Sequence, residues 1–293
     1  MESDIDVIII GKYILSNNLL GEGSFGKVYS GLYKNKSIAI KVEDILSKQP
    51  QLFNEYNMMK MFNDYNVTPK IFDYVERNNK RYLIMEKLNI NIDKHFEMYY
   101  YQFKLKTILT FAIKGLNILE IIHKKDVIHR DIKPENFLTG NDSSNLYLID
   151  FGLAKINNNE NEIISQSAQA HKPVGSKIFC SLDNHFGKEL NRKDDLESFC
   201  YILAYLCNGK LPWMGIQAKT MKEKIKKIAL MKKNIKIDQL FTMTPKEFKE
   251  FMEIVTRLKK EEVPKYKEYI GMFEKCLQRF DYKKLVFEWE KGE

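Results

Sequence analysis

Residues 128–138 read Ile-His-Arg-Asp-Ile-Lys-Pro-Glu-Asn-Phe-Leu, and this stretch carries the strongest signal in the chain. Its Asp131 can accept the proton of an attacking hydroxyl group, while Lys133 can neutralise a phosphoryl group during transfer. Asn136 follows five residues after Asp131 and can hold a metal ion. Asp150 comes nineteen residues after Asp131, between an apolar strand and a Phe-Gly turn, which suits a ligand of a hard cation. The order and spacing of these residues together predict phosphoryl-transfer chemistry.

A glycine-rich pattern precedes this stretch. Residues 21–28 read Gly-Glu-Gly-Ser-Phe-Gly-Lys-Val, which is a G-x-G-x-x-G-x-V pattern. Glycine lets backbone N–H groups approach a phosphate because no Cβ stands in the way. The pattern alone is weak, but strands flank it on both sides, where a dinucleotide-binding fold would have a strand and then a helix. We therefore predict a hairpin that folds over a nucleotide.

Lys41 and Glu55 form the next candidate pair. Glu55 lies three residues after Leu52 and four before Met59, which places it on the apolar face of a predicted helix. A carboxylate there is costly unless it is paired, and Lys41 at the end of a strand is the natural partner. A lysine held in this way could reach the α- and β-phosphates of ATP. The alternative is a Glu55 side chain that extends to solvent.

The sequence pattern changes near residue 90. The first ninety or so residues alternate between short strand patterns and turn residues, which predicts five antiparallel strands and one helix. Later apolar residues recur at helical spacing, and the segment 194–208 is apolar nearly all round, which predicts a buried helix. The predicted strands are 13–20, 27–33, 36–42, 70–76 and 81–86, the first helix is 51–63, and the later helices are 104–124, 194–208, 217–231, 246–258 and 266–280.

Composition excludes several classes of protein. Hydrophobic residues make up 44% and charged residues 29% of the 293, so the chain is neither disordered nor embedded in a membrane. The formal net charge of +8 favours anionic partners without choosing among phosphates, acidic peptides, nucleic acid and an anionic membrane surface. The four cysteines form no C-x-x-C pair, the N-terminal residues do not resemble a signal peptide, and no run of about 18 apolar residues occurs. We therefore expect a soluble protein of the cytoplasm, the nucleus or both, with reduced cysteines.

The motifs resemble those of the eukaryotic protein kinase catalytic domain, and more narrowly those of the casein kinase 1 family. Lys133 after Asp131 resembles the serine/threonine type of catalytic loop. The stretch 192–198 (RKDDLES) is the most specific, because casein kinase 1 enzymes carry RRDDLES at this place. Residues 149–155 (IDFGLAK) and 286–289 (VFEW) extend the resemblance over nearly the whole chain.

The resemblance implies an α+β, two-lobed protein-kinase-like fold over residues 1–293. A small antiparallel β-sheet lobe with one helix would occupy about 10–86, a hinge about 86–89, and a larger, mainly α-helical lobe about 90–290. ATP would bind in the cleft with one or two Mg²⁺ ions. The reaction implied is transfer of the γ-phosphoryl group to serine or threonine of acidic or phosphorylated protein substrates. The enzyme is expected to be constitutively active.

Site residues follow from the same resemblance. The implied catalytic residues are Asp131, Lys133 and Lys41, and the implied Mg²⁺ ligands are Asn136 and Asp150. For the apolar residues in the implied ATP site, ordinary core packing is a serious alternative. The residues implied to bind ATP are Leu20, Gly21, Glu22, Gly23, Ser24, Phe25, Gly26, Val28, Ala39, Lys41, Glu55, Met85, Glu86, Leu88, Leu138 and Ile149, with Met85 as the gatekeeper and backbone groups of Glu86 and Leu88 bonded to adenine.

One departure from the family concerns substrate choice. Casein kinase 1 enzymes place a basic residue where Ile178 stands, and with the lysine that matches Lys224 it forms a pocket for a phosphate already on the substrate. Lys177 could compensate, although neighbouring side chains on an extended segment point to opposite faces. We expect a substrate anion site at Lys224 and Lys177 and only a weak preference for such primed substrates. No nucleic acid partner, no membrane span and a monomer are expected.

Two other functions stay open. A pseudokinase scaffold would need a broken catalytic element, and a small-molecule phosphotransferase would typically lack a glycine loop of this form. Asp195 is expected to brace the catalytic loop as a structural residue, and the lysines of 219–236 are expected to be solvated. His95, His123, His171 and His185 stand at no sequence spacing that would indicate a partner, and no catalytic role is predicted for them.

Overall fold

The computed structural model describes residues 8–23, 26–157 and 174–290. These residues form two compact units. The first comprises the described part of Met1–Asn89 together with Tyr147–Ala154, and the second comprises that of Ile90–Leu146 and Lys155–Glu293. Ser24 and Phe25 of the predicted ATP site, and His171, fall outside the described residues.

The first unit is an antiparallel sheet with one helix. Its elements are β1 (Ile8–Ile10), β2 (Tyr13–Gly23), β3 (Gly26–Tyr33), β4 (Lys36–Asp44), α1 (Leu52–Lys60), β5 (Ile71–Arg77) and β6 (Lys80–Glu86). The strands follow the order β1-β2-β3-β4-β6-β5. Because side chains alternate along a strand, Ile38 and Ile40 of β4 face the core shared with Tyr82 and Ile84 of β6. Lys41 therefore points to the opposite face, where α1 meets it.

The prediction of five strands is wrong by one. Strand β1 pairs with β2 through Ile9↔Ile14 and adds a sixth strand at the sheet edge. Of its three residues only Ile10 is buried, while Ile9 is 62% exposed. A run of identical apolar residues has no alternation, so the sequence gives no period-2 signal at this place.

The second unit is mainly helical. Its α-helices are α2 (Ile92–Met98), α3 (Leu105–Lys124), α4 (Leu182–His185), α5 (Arg192–Asn208), α6 (Met221–Asn234), α7 (Ile237–Leu240), α8 (Lys246–Arg257) and α9 (Tyr266–Arg279). Its short strands include β7 (Val127–Ile128), β8 (Phe137–Thr139) and β10 (Lys155–Ile156), while β9 (Leu146–Leu148) leads the chain into the first unit. None of the helices in the described ranges combines the length and the apolar character that crossing a membrane requires.

The core of the second unit lies between α3 and α5. The rings of Phe111 on α3 and Phe199 on α5 stack with centroids 5.4 Å apart, and both contact Phe137. Helix α5 is buried along most of its length, as predicted for the segment 194–208, and its buried residues include polar ones such as Asp195 and Glu197. The α+β class, with a small antiparallel sheet carrying one helix and a larger helical part, is confirmed.

Helix boundaries differ from the predicted ones where side chains cap the chain. Helix α6 begins at Met221 and not at 217, because the Thr220 side chain accepts a hydrogen bond from the Glu223 N–H. Helix α2 was not predicted, since its seven residues are too few for a helical period to stand out.

The last described residues complete the core of the second unit. Phe287 is fully buried, and its ring stacks on that of Trp289 at 4.6 Å. Trp289 also stacks on His95 of α2 with centroids 3.9 Å apart. The Glu288 N–H donates to Thr107 Oγ1 on α3. Residues 287–289 are therefore part of the packing around α2 and α3.

Candidate active site

The glycine-rich pattern forms the hairpin between β2 and β3. The two strands pair through Glu22↔Lys27 and Gly23↔Gly26. At Gly26, where φ is +154°, a Cβ would lie 2.5 Å from the Val42 carbonyl oxygen, so no other residue fits without a shift of β4. A Cβ at Gly21 or Gly23 would meet nothing within 4 Å. Packing within this unit therefore does not require glycine at these two positions. We predict that glycine serves there to let a phosphate approach the backbone.

Three of the apolar residues predicted to enclose the purine, Val28, Ala39 and Met85, lie on one face of the sheet. Ala39 on β4 is opposite Met85 on β6, and Val28 on β3 is opposite Lys41. Ala39 and Met85 are buried, whereas Leu20 is 41% exposed. The N–H of Glu86 donates to the Lys70 carbonyl oxygen at 2.8 Å, and bonding of Glu86 and Leu88 to adenine stays a prediction. Leu88 and Ile149 belong to the same unit and Leu138 to the second unit; contact of these residues with a nucleotide stays a prediction.

Lys41 is held between two carboxylates. Its Nζ lies 2.6 Å from Glu55 Oε2 and 2.9 Å from Asp150 Oδ1. Lys41 is only 9% exposed and Glu55 2%. Burial alone would lower the pKa of Lys41, but the charges of Glu55 and Asp150 outweigh it and raise that pKa above its ordinary value. The ion pair predicted between Lys41 and Glu55 is present, and the alternative of a solvated Glu55 is wrong.

Helix α1 is fixed to the sheet at its start as well. The Glu43 carboxylate of β4 accepts the N–H groups of Gln51 at 2.7 Å and Leu52 at 3.1 Å, and also binds Arg81 at 3.1 Å. A negative charge at the first turn of a helix satisfies N–H groups that have no partner within the helix. The strand that carries Lys41 thus also holds the helix that carries Glu55.

Asp131 lies at the centre of the second cluster. Its Oδ2 accepts a hydrogen bond from Lys133 Nζ at 2.6 Å, and its Oδ1 accepts the N–H of Ser176 at 2.6 Å. Asn136 Nδ2 donates to the Asp131 carbonyl oxygen at 2.8 Å. Asp131 is 6% exposed, so these partners replace most of its water. Such an arrangement holds one carboxylate in a fixed direction, as a proton acceptor for a bound hydroxyl group requires.

Asp195 on α5 braces the backbone before Asp131. Its carboxylate accepts the N–H groups of His129 at 2.7 Å and Arg130 at 2.9 Å. Burial would raise the pKa of Asp195, but hydrogen bonds from His123 Nε2 and His129 N–H hold that pKa below its ordinary value. The predicted bracing role of Asp195 is confirmed.

His123, for which the sequence shows no partner spacing, has two partners in the structure. His123 Nε2 lies 2.9 Å from Asp195 Oδ2, and its Nδ1 is hydrogen-bonded to the hydroxyl of Tyr266 on α9. Because Nε2 faces a carboxylate, it carries the proton, and in the neutral ring Nδ1 then accepts from the tyrosine. These partners come from helices 72 and 143 residues away in the chain, so no local spacing could have indicated them.

Several further predicted residues lie in the second unit. Lys177 precedes Ile178 in a turn after Gly175, and burial lowers the pKa of the Lys177 ammonium. The Ile178 carbonyl oxygen accepts the indole N–H of Trp213 at 2.8 Å. Lys224 is a partly exposed residue of α6. Binding of a substrate anion by Lys177 and Lys224 stays a prediction. The two implied Mg²⁺ ligands belong to different units, Asp150 to the first and Asn136 to the second.

The chain is similar to known proteins over most of its length. The model of the family described as "Protein kinase domain" matches residues 15–281. Casein kinase I homolog 2 of Schizosaccharomyces pombe is 32% identical over 289 residues, which cover 96% of this chain and 66% of that protein. Casein kinase I homolog 1 of Saccharomyces cerevisiae is 31% identical over 277 residues, which cover 90% of this chain and 50% of that protein. The chain thus spans about half to two thirds of the length of these relatives.

Proposed function

The chain belongs to the protein kinase domain family, and from this premise we propose that it transfers the γ-phosphoryl group of ATP to serine or threonine side chains of proteins. The observation that carries the proposal is the Asp131 carboxylate, held by Lys133 and Ser176 in a buried position. Its free lone pairs can take the proton of a substrate hydroxyl group. Lys133, at 2.6 Å from Asp131, adds a positive charge for the phosphoryl group in transfer.

The residues present fit a nucleotide with Mg²⁺. Asp150 offers a carboxylate, and Asn136 offers its Oδ1, because its Nδ2 is bonded to Asp131. These hard oxygen ligands are the kind that Mg²⁺ prefers, and when bound the ion neutralises charge on the phosphates. Lys41, kept protonated by Glu55 and Asp150, is placed to hold phosphate oxygens. The sequence keeps all five residues that a pseudokinase would be expected to lack in part, which disfavours that alternative: Lys41, Glu55, Asp131, Asn136 and Asp150.

We propose acidic or phosphorylated segments of proteins as the substrates. The net charge of +8 supports an acidic substrate, and Lys177 and Lys224 are the candidate anion ligands. Ile178 can neither donate a hydrogen bond from its side chain nor carry charge. One charge-assisted contact contributes roughly 1.5–3 kcal/mol, so its loss corresponds to about ten- to a hundred-fold in kcat/KM. We therefore expect a weak preference for a phosphate already on the substrate.

Constitutive activity is part of the same proposal. The Lys41–Glu55 pair and the hydrogen bonds of Asp131 are made by the chain's own side chains and backbone. Treatment with a phosphatase, checked by intact mass, should leave kcat within a few-fold. A collapse of kcat after dephosphorylation would show that a phosphate switches the enzyme on.

Kinase assays with Mg²⁺-ATP and casein test the proposed reaction. Asp131→Asn should lower kcat by orders of magnitude while ATP still binds, whereas Asp150→Asn should weaken the binding of Mg²⁺-ATP itself. The exposed Asp64 of the first unit provides a matched control, and Asp64→Asn should change neither. Near-parental kcat in Asp131→Asn would refute the role of Asp131, and the absence of any transfer by the parent would refute the kinase proposal.

Paired kinetics on primed and unprimed forms of one peptide test the substrate class. Ile178→Arg should increase the preference for the primed peptide, because it restores a guanidinium group for the phosphate. A strong primed preference in the parent that Ile178→Arg leaves unchanged would contradict this interpretation.

A further inference from the structure

Asn54 makes an unusual set of contacts within the first unit. It lies on α1 directly before Glu55, and its side-chain Nδ2 is within hydrogen-bond distance of three backbone carbonyl oxygens. The distances are 3.1 Å to Gly152, 3.1 Å to Ala154 and 3.4 Å to Phe151. These carbonyls belong to the turn that follows Asp150. One side-chain amide of α1 is thus directed at the backbone beside the implied metal ligand.

The turn needs such support because of its backbone conformation. Asp150 has a φ of +67°, in the left-handed region that residues other than glycine adopt at a cost. Residues Phe151–Leu153 then form a single 3-10 turn, which is too short to satisfy all of its own carbonyl groups. A side-chain amide has two N–H donors, which can bind carbonyl groups that are not hydrogen-bonded within such a turn.

The same turn packs on α1 beside these hydrogen bonds. A Cβ on Gly152 would lie 2.6 Å from the side-chain oxygen of Gln51, three residues before Asn54. The Phe151 ring is fully buried and contacts Phe62 with centroids 5.7 Å apart. Residues that flank α1 on both sides therefore hold the turn by packing, and Asn54 within α1 adds directional hydrogen bonds.

We propose that Asn54 is a positioning residue for Asp150. This inference rests on the proposed function. By holding the carbonyls of Phe151, Gly152 and Ala154, Asn54 fixes the backbone from which the Asp150 carboxylate projects toward Lys41. The same carboxylate would hold Mg²⁺. Lys41 contacts the Asp150 side chain at 2.9 Å, and Asn54 contacts the backbone that follows it. Helix α1 thus acts on Asp150 through two neighbouring residues, Glu55 by way of Lys41 and Asn54 by way of the turn.

Nucleotide affinity with and without Mg²⁺ tests this role. Asn54→Ala and the more space-filling Asn54→Leu both remove the donor. In each, we expect the gain in ATP affinity that Mg²⁺ confers to fall about ten-fold, while ATP affinity in EDTA stays unchanged. Affinities would be measured by fluorescence titration, and hydrogen exchange of residues 150–154 should become faster in both variants.

Asn63 offers a matched control in the same unit. Its side chain also binds backbone groups, accepting the Ile71 N–H at 2.8 Å and donating to the Ile71 carbonyl oxygen at 3.3 Å. Asn63→Ala should lower the melting temperature without changing the Mg²⁺-dependent gain. An unchanged gain in both Asn54 variants, or an equal loss in Asn63→Ala, would overturn the inference while the proposed function stands. A parent whose ATP affinity does not respond to Mg²⁺ would overturn the proposed function and this inference with it.

Discussion

Substitution of Gly175 by alanine is the sharpest test of how Asp131 is held. Gly175 has a φ of +66°, and a Cβ at this residue would lie 2.5 Å from Asp131 Oδ1 and 2.8 Å from the Arg130 carbonyl oxygen. The carboxylate can rotate, but the backbone oxygen cannot move without the catalytic loop. The adjacent N–H of Ser176, which binds Asp131 Oδ1 at 2.6 Å, would have to move away.

The expected magnitude has two parts. A left-handed alanine costs about 1–2 kcal/mol relative to glycine, and this part affects stability. Loss of a hydrogen bond to a charged group costs roughly 1.5–3 kcal/mol, and because that bond orients Asp131 this part affects kcat. The second part corresponds to about ten- to a hundred-fold in kcat.

Gly11→Ala separates strain from the clash. Gly11 also has a left-handed φ, +58°, but a Cβ there meets nothing within 4 Å. Steady-state kinetics and thermal unfolding of both variants are the assay. In Gly175→Ala, kcat should fall with little change in KM for ATP. In Gly11→Ala, only the stability should fall, with kcat unchanged. Gly175→Ala with parental kcat, or the same kcat loss in Gly11→Ala, would refute the reasoning.

Three further predictions concern the second unit. Tyr266→Phe removes the hydroxyl bonded to buried His123, so the free energy of unfolding should fall by about 1–3 kcal/mol in urea titrations, and kcat should fall with KM for ATP unchanged. Burial lowers the pKa of His95 from 6.5 to about 4, so the unfolded chain takes up the proton at a higher pH than the folded chain does. The free energy of unfolding should therefore fall by up to about 3 kcal/mol as the pH falls from 6.5 toward 4, and by less in His95→Phe. Asn191 caps α5 by accepting the Lys193 N–H at 2.8 Å, so Asn191→Ala should cost about 1 kcal/mol, seen as a lower melting temperature.

Local patterns predicted what depends on neighbours in the chain. Glu55 on an apolar helix face was sufficient to predict the ion pair with Lys41, because an unpaired carboxylate there would be costly. The long helices α3 and α5 follow from apolar residues at helical spacing. Strand β1 could not be predicted, since three consecutive isoleucines show no alternation and only pairing with β2 makes them a strand.

Contacts between residues that are far apart in the chain could not be predicted from the sequence. Asn54 is a polar residue in a helix, and the usual interpretation of such a residue is a solvated side chain; its carbonyl partners are about a hundred residues away. The His123–Tyr266 contact joins two helices, and neither residue stands in a motif. A polar group whose partner is set by tertiary packing carries no periodic signal in one sequence.

The placement of Phe287 and Trp289 has a consequence for biosynthesis. The Trp289 ring stacks on His95 of α2, which is made almost two hundred positions earlier in the chain, and the Phe287 ring stacks on Trp289. Residues 287–289 must therefore emerge from the ribosome before this part of the core can close. Until then α2 and α3 present uncovered apolar surface, which is the kind of surface that chaperones bind and that promotes aggregation. A nascent chain stalled before residue 287 should for this reason be recovered in complex with chaperones, even though every motif of the active site has already been synthesised.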